Sequence, residues 1–436
     1  MPRSSLDAAG RGGVMSLKTK LASHVMQYVT AESRLAKQRA AVERRRQRDG
    51  RMHQIEYFHV AGDPYSHLVL QALPALMARY DVAVKPHLAP PPPDWAAPER
   101  QKLEDYARED AARLAVKAGL RFVDPGAQPS AERIAGAEAA LAAILEAPDF
   151  AARALAISEA LWAGEALPGG VSPASALAEG AARREKLGHY LGGMLAYEGE
   201  WYWGVDRLHY LERRLRGLGA QKAGAPDAFL FVQPDSPQAE LMAGSGAGKE
   251  VHFYLSFRSP YTYIAAERIR ALARAYGAEL KLRFVLPMVM RGLPVPRMKG
   301  YYITTDVARE ARRMGIPFGK IADPLGTPVE RGYSILPMAM EQGVGFEFCQ
   351  SFLKGVWAEG IDAGSDAGLK QIVERAGLDW AKARALIGGD HWRAEAEANR
   401  AEMMDLGIWG VPSFRVGEVA TWGQDRMWII EDALAE

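Results

Sequence analysis

The 436-residue chain has a single cysteine, Cys349. One thiol cannot form an internal disulfide, a CxxC redox pair or a multi-thiolate zinc or iron–sulfur site. Nothing in the sequence calls for an oxidising compartment, and a cytoplasmic location is expected. No uninterrupted run of 18 apolar residues occurs, so no membrane span is expected. Net charge is almost absent too, with 54 Lys plus Arg against 53 Asp plus Glu. That balance excludes a broadly cationic surface but not a local one. What is present is ordinary globular material, 48% hydrophobic and 25% charged, in a length that suits two domains.

Charge is uneven along the chain. Residues 1–52 hold twelve Lys or Arg and four Asp or Glu. From Ser16 to Gln47 there is no Gly or Pro, and Leu17, Leu21, Val25, Met26 and Val29 recur near helical spacing. Residues 1–50 are therefore expected to be a basic helical arm that packs on its own domain or on a partner. Basic runs also attract phosphate and anionic membrane surfaces. Here no aromatic residue sits among the arginines to stack a base, so nucleic acid is not the expected partner.

The rest of the sequence states one plan twice. His53 to Val60 reads as a strand, Asp63-Pro64-Tyr65 as an elbow and His67 to Tyr80 as a helix. Glu250 to Phe257, Ser259-Pro260-Tyr261 and Tyr263 to Tyr276 repeat that order. Short alternating runs follow at Asp81 to Pro86 and Glu279 to Val285, giving a βαβ unit with a parallel strand pair each time. Both units close on the same pattern, Trp203-Gly204-Val205-Asp206-Arg207 and Trp422-Gly423-Gln424-Asp425-Arg426. Two patterns recurring in one order indicate duplication. Between elbow and close lie helical inserts, expected at 99–118, 130–145 and 150–164, then at 301–314, 332–357, 368–387 and 391–406. The expected domains are 51–218 and 249–436, joined by a Gly/Pro/Ala/Ser-rich linker at 219–248. Residues 228–232 are apolar enough to add a strand or pack down, and Pro90 to Pro93 form a stiff loop.

Three places in the second unit can support chemistry. Ser259 precedes Pro260, so it suits an N-cap with proline in the first helical position. A helix amino terminus presents free N–H groups and a positive dipole end, which stabilise an anion or a thiolate. No cysteine stands there, so a thiolate would have to arrive on a cofactor. Val411-Pro412 lies between a turn and a short strand at Phe414 to Val416, a setting for a cis bond whose neighbouring main chain can pair with an extended peptide. Asp425 is the kind of group that receives an ammonium, and Gly423 marks a tight turn. Arg258, Arg297 and Lys299 add positive charge suited to a carboxylate. Each of these also has a plain structural reading, as cap, turn or surface charge.

Taken in order, the second unit resembles the 2-hydroxychromene-2-carboxylate isomerases and kappa-class glutathione transferases, of the DsbA-like branch of the thioredoxin fold. The resemblance is carried by Tyr254 to Ala265; by Lys299-Gly300, Tyr302, Asp306 and Met314 to Pro317; by Phe352 to Glu359; by Gly410 to Ser413; and by Trp422 to Arg426. It implies an α/β protein of two thioredoxin-like DsbA-type domains, each with a helical insertion, the first copy degenerate. It implies glutathione as cofactor, with Ser259 meeting the sulfur and Val411 and Pro412 the cysteinyl main chain. Trp422, Gln424 and Asp425 would meet the γ-glutamyl end, and Arg258, Lys299 and Tyr302 the substrate. The implied reaction is isomerisation by reversible thiolate addition to an unsaturated aromatic carboxylic acid. Alternatives are transfer of glutathione to other electrophiles, or a non-catalytic binding scaffold. A disulfide oxidoreductase is disfavoured because neither elbow has cysteine. A homodimer or a pseudo-dimer of the two units is expected, and no metal site. The first unit departs from the pattern. Asp63 stands in place of the serine, where its charge would repel a thiolate, and Leu187 to Leu195 lacks a Val-Pro.

Overall fold

The structure, a computed structural model, describes residues 17–232 and 246–436. In chain order the regular elements begin with α1 (Leu17–Thr30), α2 (Glu32–Arg48), β1 (His53–His59), α3 (Pro64–Arg79) and β2 (Val82–Leu88). The first insert supplies α4 (Arg100–Ala118), α5 (Ala131–Ala142), α6 (Phe150–Ala163) and α7 (Ala174–Lys186). Then come β3 (Met194–Tyr197), β4 (Glu200–Trp203) and α8 (Leu208–Gly217). The second module opens with β5 (Glu250–Leu255), α9 (Pro260–Tyr276) and β6 (Glu279–Phe284). Its insert supplies α10 (Arg297–Arg313), α11 (Thr327–Glu341), α12 (Gly345–Lys354) with a π-helical turn at Gly355–Glu359, α13 (Asp366–Arg375), α14 (Trp380–Leu386) and α15 (Arg393–Asp405). It closes on β7 (Ser413–Val416), β8 (Val419–Trp422) and α16 (Met427–Ala435).

Two similarly built modules are visible in the hydrogen-bonded topology. One sheet runs β2-β1-β3-β4 and the other β6-β5-β7-β8. In each, the first two strands are parallel and the last two join antiparallel. Registers correspond: Phe58 faces His87 and Met194, as Tyr254 faces Arg283 and Ser413. This is the α/β arrangement of two thioredoxin-like modules with helical insertions. The described residues group into two compact units. One contains residues from Lys37 to 232 with Val295–Tyr302. The other contains residues up to Ala36, from 246 to Pro294, and Ile303–Glu436.

Alternation along the central strands sorts side chains between two faces. Val251, Phe253 and Leu255 are wholly buried and join Ile264, Ile269 and Leu272 of α9 in the second core. Ile55 and Tyr57 do the same with Leu68, Leu73 and Leu76 of α3. Each such aliphatic or aromatic side chain contributes about 1.5–3 kcal/mol by leaving water.

The opposite sheet face carries charge, with its sign reversed between modules. In the first, Glu56 on β1 accepts hydrogen bonds from Arg183 on α7 (2.6 and 2.5 Å) and pairs with His87 on β2 (2.9 Å). In the second, His252, Arg283 and Glu402 stand at the matching strand and helix positions. Arg283 contacts the His252 ring at 3.0 Å, and Glu402 lies 3.7 Å from Arg283 and 3.0 Å from Arg415. Glu402 lies eleven residues before Ser413, as Arg183 lies eleven before Met194.

Several local expectations change. The run 332–357 is interrupted at Gly343 and 368–387 at Gly377; both glycines take positive φ (73° and 81°) and end a helix turn. Helix α7 adds to the expected inserts of the first unit and follows the Pro168-Gly169-Gly170 break. Residues 228–232 form no strand. They pack down, with Phe231 buried and the Leu230 N–H donating to Glu212 at 2.9 Å. The amino-terminal helix breaks at Ala31, and its periodic stripe is only partly covered, with Met26 packed against the second core. Leu21 and Val25 are 69% and 51% exposed, whereas Ser23 and Thr30 are buried. Much of the basic run is neutralised within the chain. Arg39 forms a two-pronged pair with Glu200, Arg46 with Glu43, and Arg51 meets Glu198.

Candidate functional site

Ser259 occupies the N-cap of α9 in an extended conformation, φ −99° and ψ 112°. Its hydroxyl accepts from the Thr262 N–H at 3.1 Å and donates to the Val411 carbonyl at 3.2 Å. Pro260 follows at the first helical position, where a missing N–H costs nothing. The Val411-Pro412 bond is cis, as the sequence led us to expect. Pro412 accepts from the Gly423 N–H at 3.0 Å. Elbow, proline loop and closing loop therefore meet through two hydrogen bonds at one end of the sheet.

Two glycines make that meeting possible. A Cβ on Gly410 would lie 2.5 Å from the Trp422 indole, and one on Gly423 would lie 2.7 Å from Asp425 Oδ1. Gly423 also has φ 112°, which L side chains rarely adopt. Trp422 packs on Trp409 with ring centres 5.0 Å apart.

The elbow is held by the helical insert. Phe257, two residues before Ser259, stacks on Phe352 at 4.1 Å. Its carbonyl accepts from the Trp357 indole N–H at 3.1 Å, and its N–H donates to Tyr333 Oη at 3.4 Å. Gly332 has no side chain because Phe257 and Phe352 fill that space. Trp357 sits in the π-helical turn, a helix irregularity often found near functional positions.

The expected site residues divide. Gln424 is 2% exposed and both amide ends are engaged: Oε1 accepts from Arg268 at 2.6 Å and Nε2 donates to Glu310 at 3.0 Å. Asp425 is half-buried, 3.8 Å from Arg426. Arg258 forms a two-pronged surface pair with Asp323 at 2.9 and 3.0 Å. Lys299 and Tyr302 belong to the compact unit of the first module. There the Tyr302 ring meets His189 edge-on at 4.5 Å and joins the cluster of Phe58, Val60 and Met194. Burial lowers the pKa of the Lys299 amine.

The first module presents the same stage with other actors. Asp63 is the N-cap of α3 (φ −92°, ψ 117°). Its carboxylate accepts from the N–H groups of Tyr65 (3.3 Å) and Ser66 (3.0 Å) and from the Ser66 hydroxyl (2.6 Å). Burial pushes its pKa up, against those hydrogen bonds. Strand register places Gly192-Gly193 where the second module has Val411-Pro412, and Gly193 accepts from the Gly204 N–H at 2.9 Å, matching Pro412 and Gly423. A Cβ on Gly192 would lie 2.8 Å from Asp63 Oδ2, so aspartate and glycine go together.

One shared feature escaped the sequence reading. Tyr65 donates to Asp110 and Tyr261 to Asp306, each at 2.7 Å and each across 45 residues. The equal spacing was the available signal. Because the couple persists in the module without serine, it belongs to the scaffold, tying the first turn of α3 or α9 to the first insert helix.

Among known families, the DSBA-like thioredoxin domain matches residues 250–435. The 2-hydroxychromene-2-carboxylate isomerase of Pseudomonas putida is 22% identical over 192 residues, 42% of this chain and 93% of the isomerase. That of Sphingobium xenophagum is 24% identical over 202 residues, 43% of this chain and 99% of the isomerase. A solved 2-hydroxychromene-2-carboxylate isomerase shares 23% identity, covering 42% of this chain and 94% of its own, with a TM-score of 0.37. The carboxy-terminal part of the chain is thus a DsbA-like thioredoxin-fold domain with distant similarity to these isomerases, preceded by a module of similar build.

Proposed function

We propose that the second module is a glutathione-dependent isomerase, acting on an unsaturated aromatic carboxylic acid at the Ser259 elbow. The observation that carries the reading is the meeting of the hydroxyl of a half-buried Ser259, on a helix amino terminus, with the Val411-Pro412 main chain. The residues fit the tripeptide. Glutathione, when bound, supplies the thiolate that this chain lacks at its elbow. Ser259 turns its hydroxyl from the Val411 carbonyl to the sulfur, and the α9 dipole favours the charged form. Val411 offers main-chain groups to the cysteinyl unit. Asp425 receives the ammonium, while Gln424, locked between Arg268 and Glu310, shapes the loop rather than facing the ligand. Arg258 remains our candidate for the substrate's carboxylate; Lys299 and Tyr302, which belong to the compact unit of the first module, are not assigned to this site. The functional domain is taken as 249–436, the partner module as 51–218, and the setting as cytoplasmic.

Ser259→Ala tests this. Loss of an aimed donor in a closed site costs about 2.7–4 kcal/mol, a hundredfold or more in rate. Loss of the cap costs the fold only about 1 kcal/mol. Turnover of a ring-opened hydroxychromene carboxylate should fall while most glutathione affinity remains, and the bound thiol should titrate at higher pH. Unchanged thiol titration in a folded variant would leave Ser259 a structural cap and favour a glutathione transferase of another design or a scaffold.

A further inference from the structure

The first helix is docked with its sides reversed. Leu21, Val25 and Tyr28 recur at four- and three-residue spacing on α1, within about 60° of arc. They are 69%, 51% and 65% exposed, while Ser23 and Thr30 on the opposite side are buried. An amphipathic helix ordinarily turns its aliphatic stripe to the core. Here the polar side is received by a surface shaped for it. A Cβ on Gly319 would collide with Thr30 Oγ1, and one on Gly360 would lie 2.5 Å from Ser23 Oγ. The Thr30 carbonyl accepts from Arg312 at 2.9 Å, and Met26 packs on the second core. Rotating α1 to cover its aliphatic stripe would give up all of these contacts, so the exposed stripe belongs to the docked state.

Helix α2 sorts charge between its own two sides. Arg39 pairs with Glu200 and Arg46 with Glu43 on one side. Lys37, Arg44, Arg45 and Arg48 fall within about 100° of arc on the other, and all four are exposed. Both acids of α2, Glu32 and Glu43, lie off that arc. Asp49, just beyond the helix, is 3.6 Å from Arg45 and 2.9 Å from Arg48, which sets one negative charge against four positive. We propose that residues 17–48 form an arm that attaches the protein to an anionic lipid surface. The stripe of α1 enters the interface and the cations of α2 meet headgroup phosphates. A single weak signal gives only marginal attachment, whereas an apolar element joined to a polybasic one holds. A second copy of the chain fits the stripe poorly, because three side chains fall far short of the roughly 800 Å² per partner that a stable interface buries. Nucleic acid would answer the arginines but leave the aliphatic stripe unused, and no aromatic stands among the arginines to stack a base. The proposal does not depend on the chemistry of either elbow.

The full chain is sedimented with vesicles of phosphatidylcholine alone and of phosphatidylcholine and phosphatidylglycerol in equal parts. It should bind the mixed vesicles, leave the neutral ones in large part, and be released as salt is raised. Arg44→Gln, Arg45→Gln and Arg48→Gln combined should weaken partitioning about a hundredfold, since each cation near an anionic surface contributes about fivefold. Leu21→Ser with Val25→Ser should weaken it about tenfold. Because the native thiol Cys349 is buried, Val25→Cys can be labelled alone with an environment-sensitive fluorophore, whose emission should shift to the blue on mixed vesicles. Wild-type protein that ignores mixed vesicles, or binds both kinds equally, overturns the proposal without recourse to any variant. So does a serine variant that binds as wild type. A blue shift that grows with protein concentration in the absence of vesicles would make a second copy the occupant and refute the lipid assignment. Binding to a duplex oligonucleotide that the glutamine variant loses and the serine variant keeps, with no vesicle binding, would refute it in favour of nucleic acid.

Discussion

Exchanging the elbow residues between modules gives a sharp test of the site geometry. Ser259→Asp would import the first module's carboxylate into the second. Taken alone, the change offers two further donors, the Tyr261 N–H and the Thr262 hydroxyl, and a helix-dipole gain of about 0.3–1 kcal/mol. It also meets an obstacle. In the first module a Cβ opposite the carboxylate would approach it to 2.8 Å, and glycine stands there. The second module has Val411 at that register position, with its carbonyl already 3.2 Å from Ser259 Oγ. A carboxylate would lose the donated hydrogen bond and crowd the loop, at about 1–3 kcal/mol for overpacking. Ser259→Asp should therefore destabilise α9, and Val411→Gly should relieve it. The coupling expected in a double-mutant cycle is about 1–3 kcal/mol, as for residues in contact. Native-state hydrogen exchange at the first-turn amides of α9 reads this locally, without requiring the whole chain to unfold in one step. Additivity within about 0.5 kcal/mol would refute the correspondence of Gly192 with Val411 on which the comparison of the two sites depends.

Two further outcomes follow from contacts described above. Trp357→Phe removes the indole donor to the Phe257 carbonyl and should raise exchange at Ser259 to Thr262 by roughly tenfold, equivalent to about 1.4 kcal/mol, while α3 is unaffected; equal loss in both modules would make Trp357 a general core residue. Burial alone would raise the pKa of Glu56, yet hydrogen bonds from Arg183 and His87 hold it at about 2, below the ordinary 4.5. A carboxylate lowered in the folded state stabilises the fold above pH 4.5 and loses that contribution as pH falls toward 2, a difference of about 3 kcal/mol that solvent screening of the partly exposed pair reduces to the order of 2 kcal/mol. The stability gap between wild type and Glu56→Gln should narrow between pH 6 and pH 3, and a gap independent of pH would contradict the assignment.

What the sequence made legible was periodic or repeated. Strand–elbow–helix units and the two WGxDR closures appear in order because hydrophobic alternation and turn residues act locally. The cis bond at Val411-Pro412 was legible from its motif. Buried pairing was not. Gln424 reads as a ligand donor until Arg268 and Glu310, more than a hundred residues away in sequence, are seen to occupy both ends of its amide. Arg258 likewise reads as a free cation until Asp323 meets it. The exposed Leu21 and Val25 show the limit of periodicity, which locates a helix face but not whether that face is covered.

The reversed charges on the outer sheet faces bear on how such a chain avoids folding into its own copy. A duplicated protein emerges with two similar sheets and two similar covering helices, and exchange between repeats is a common failure of such chains. With α7 laid on the wrong sheet, Arg183 would face His252 and Arg283. With α15 on the other, Glu402 would face Glu56. Either error sets like charges side by side on a partly exposed face, while the correct pairing sets opposite ones there. The inversion would therefore disfavour exchange of the covering helices between sibling domains, through three residues on each side and independently of whatever chemistry either elbow performs.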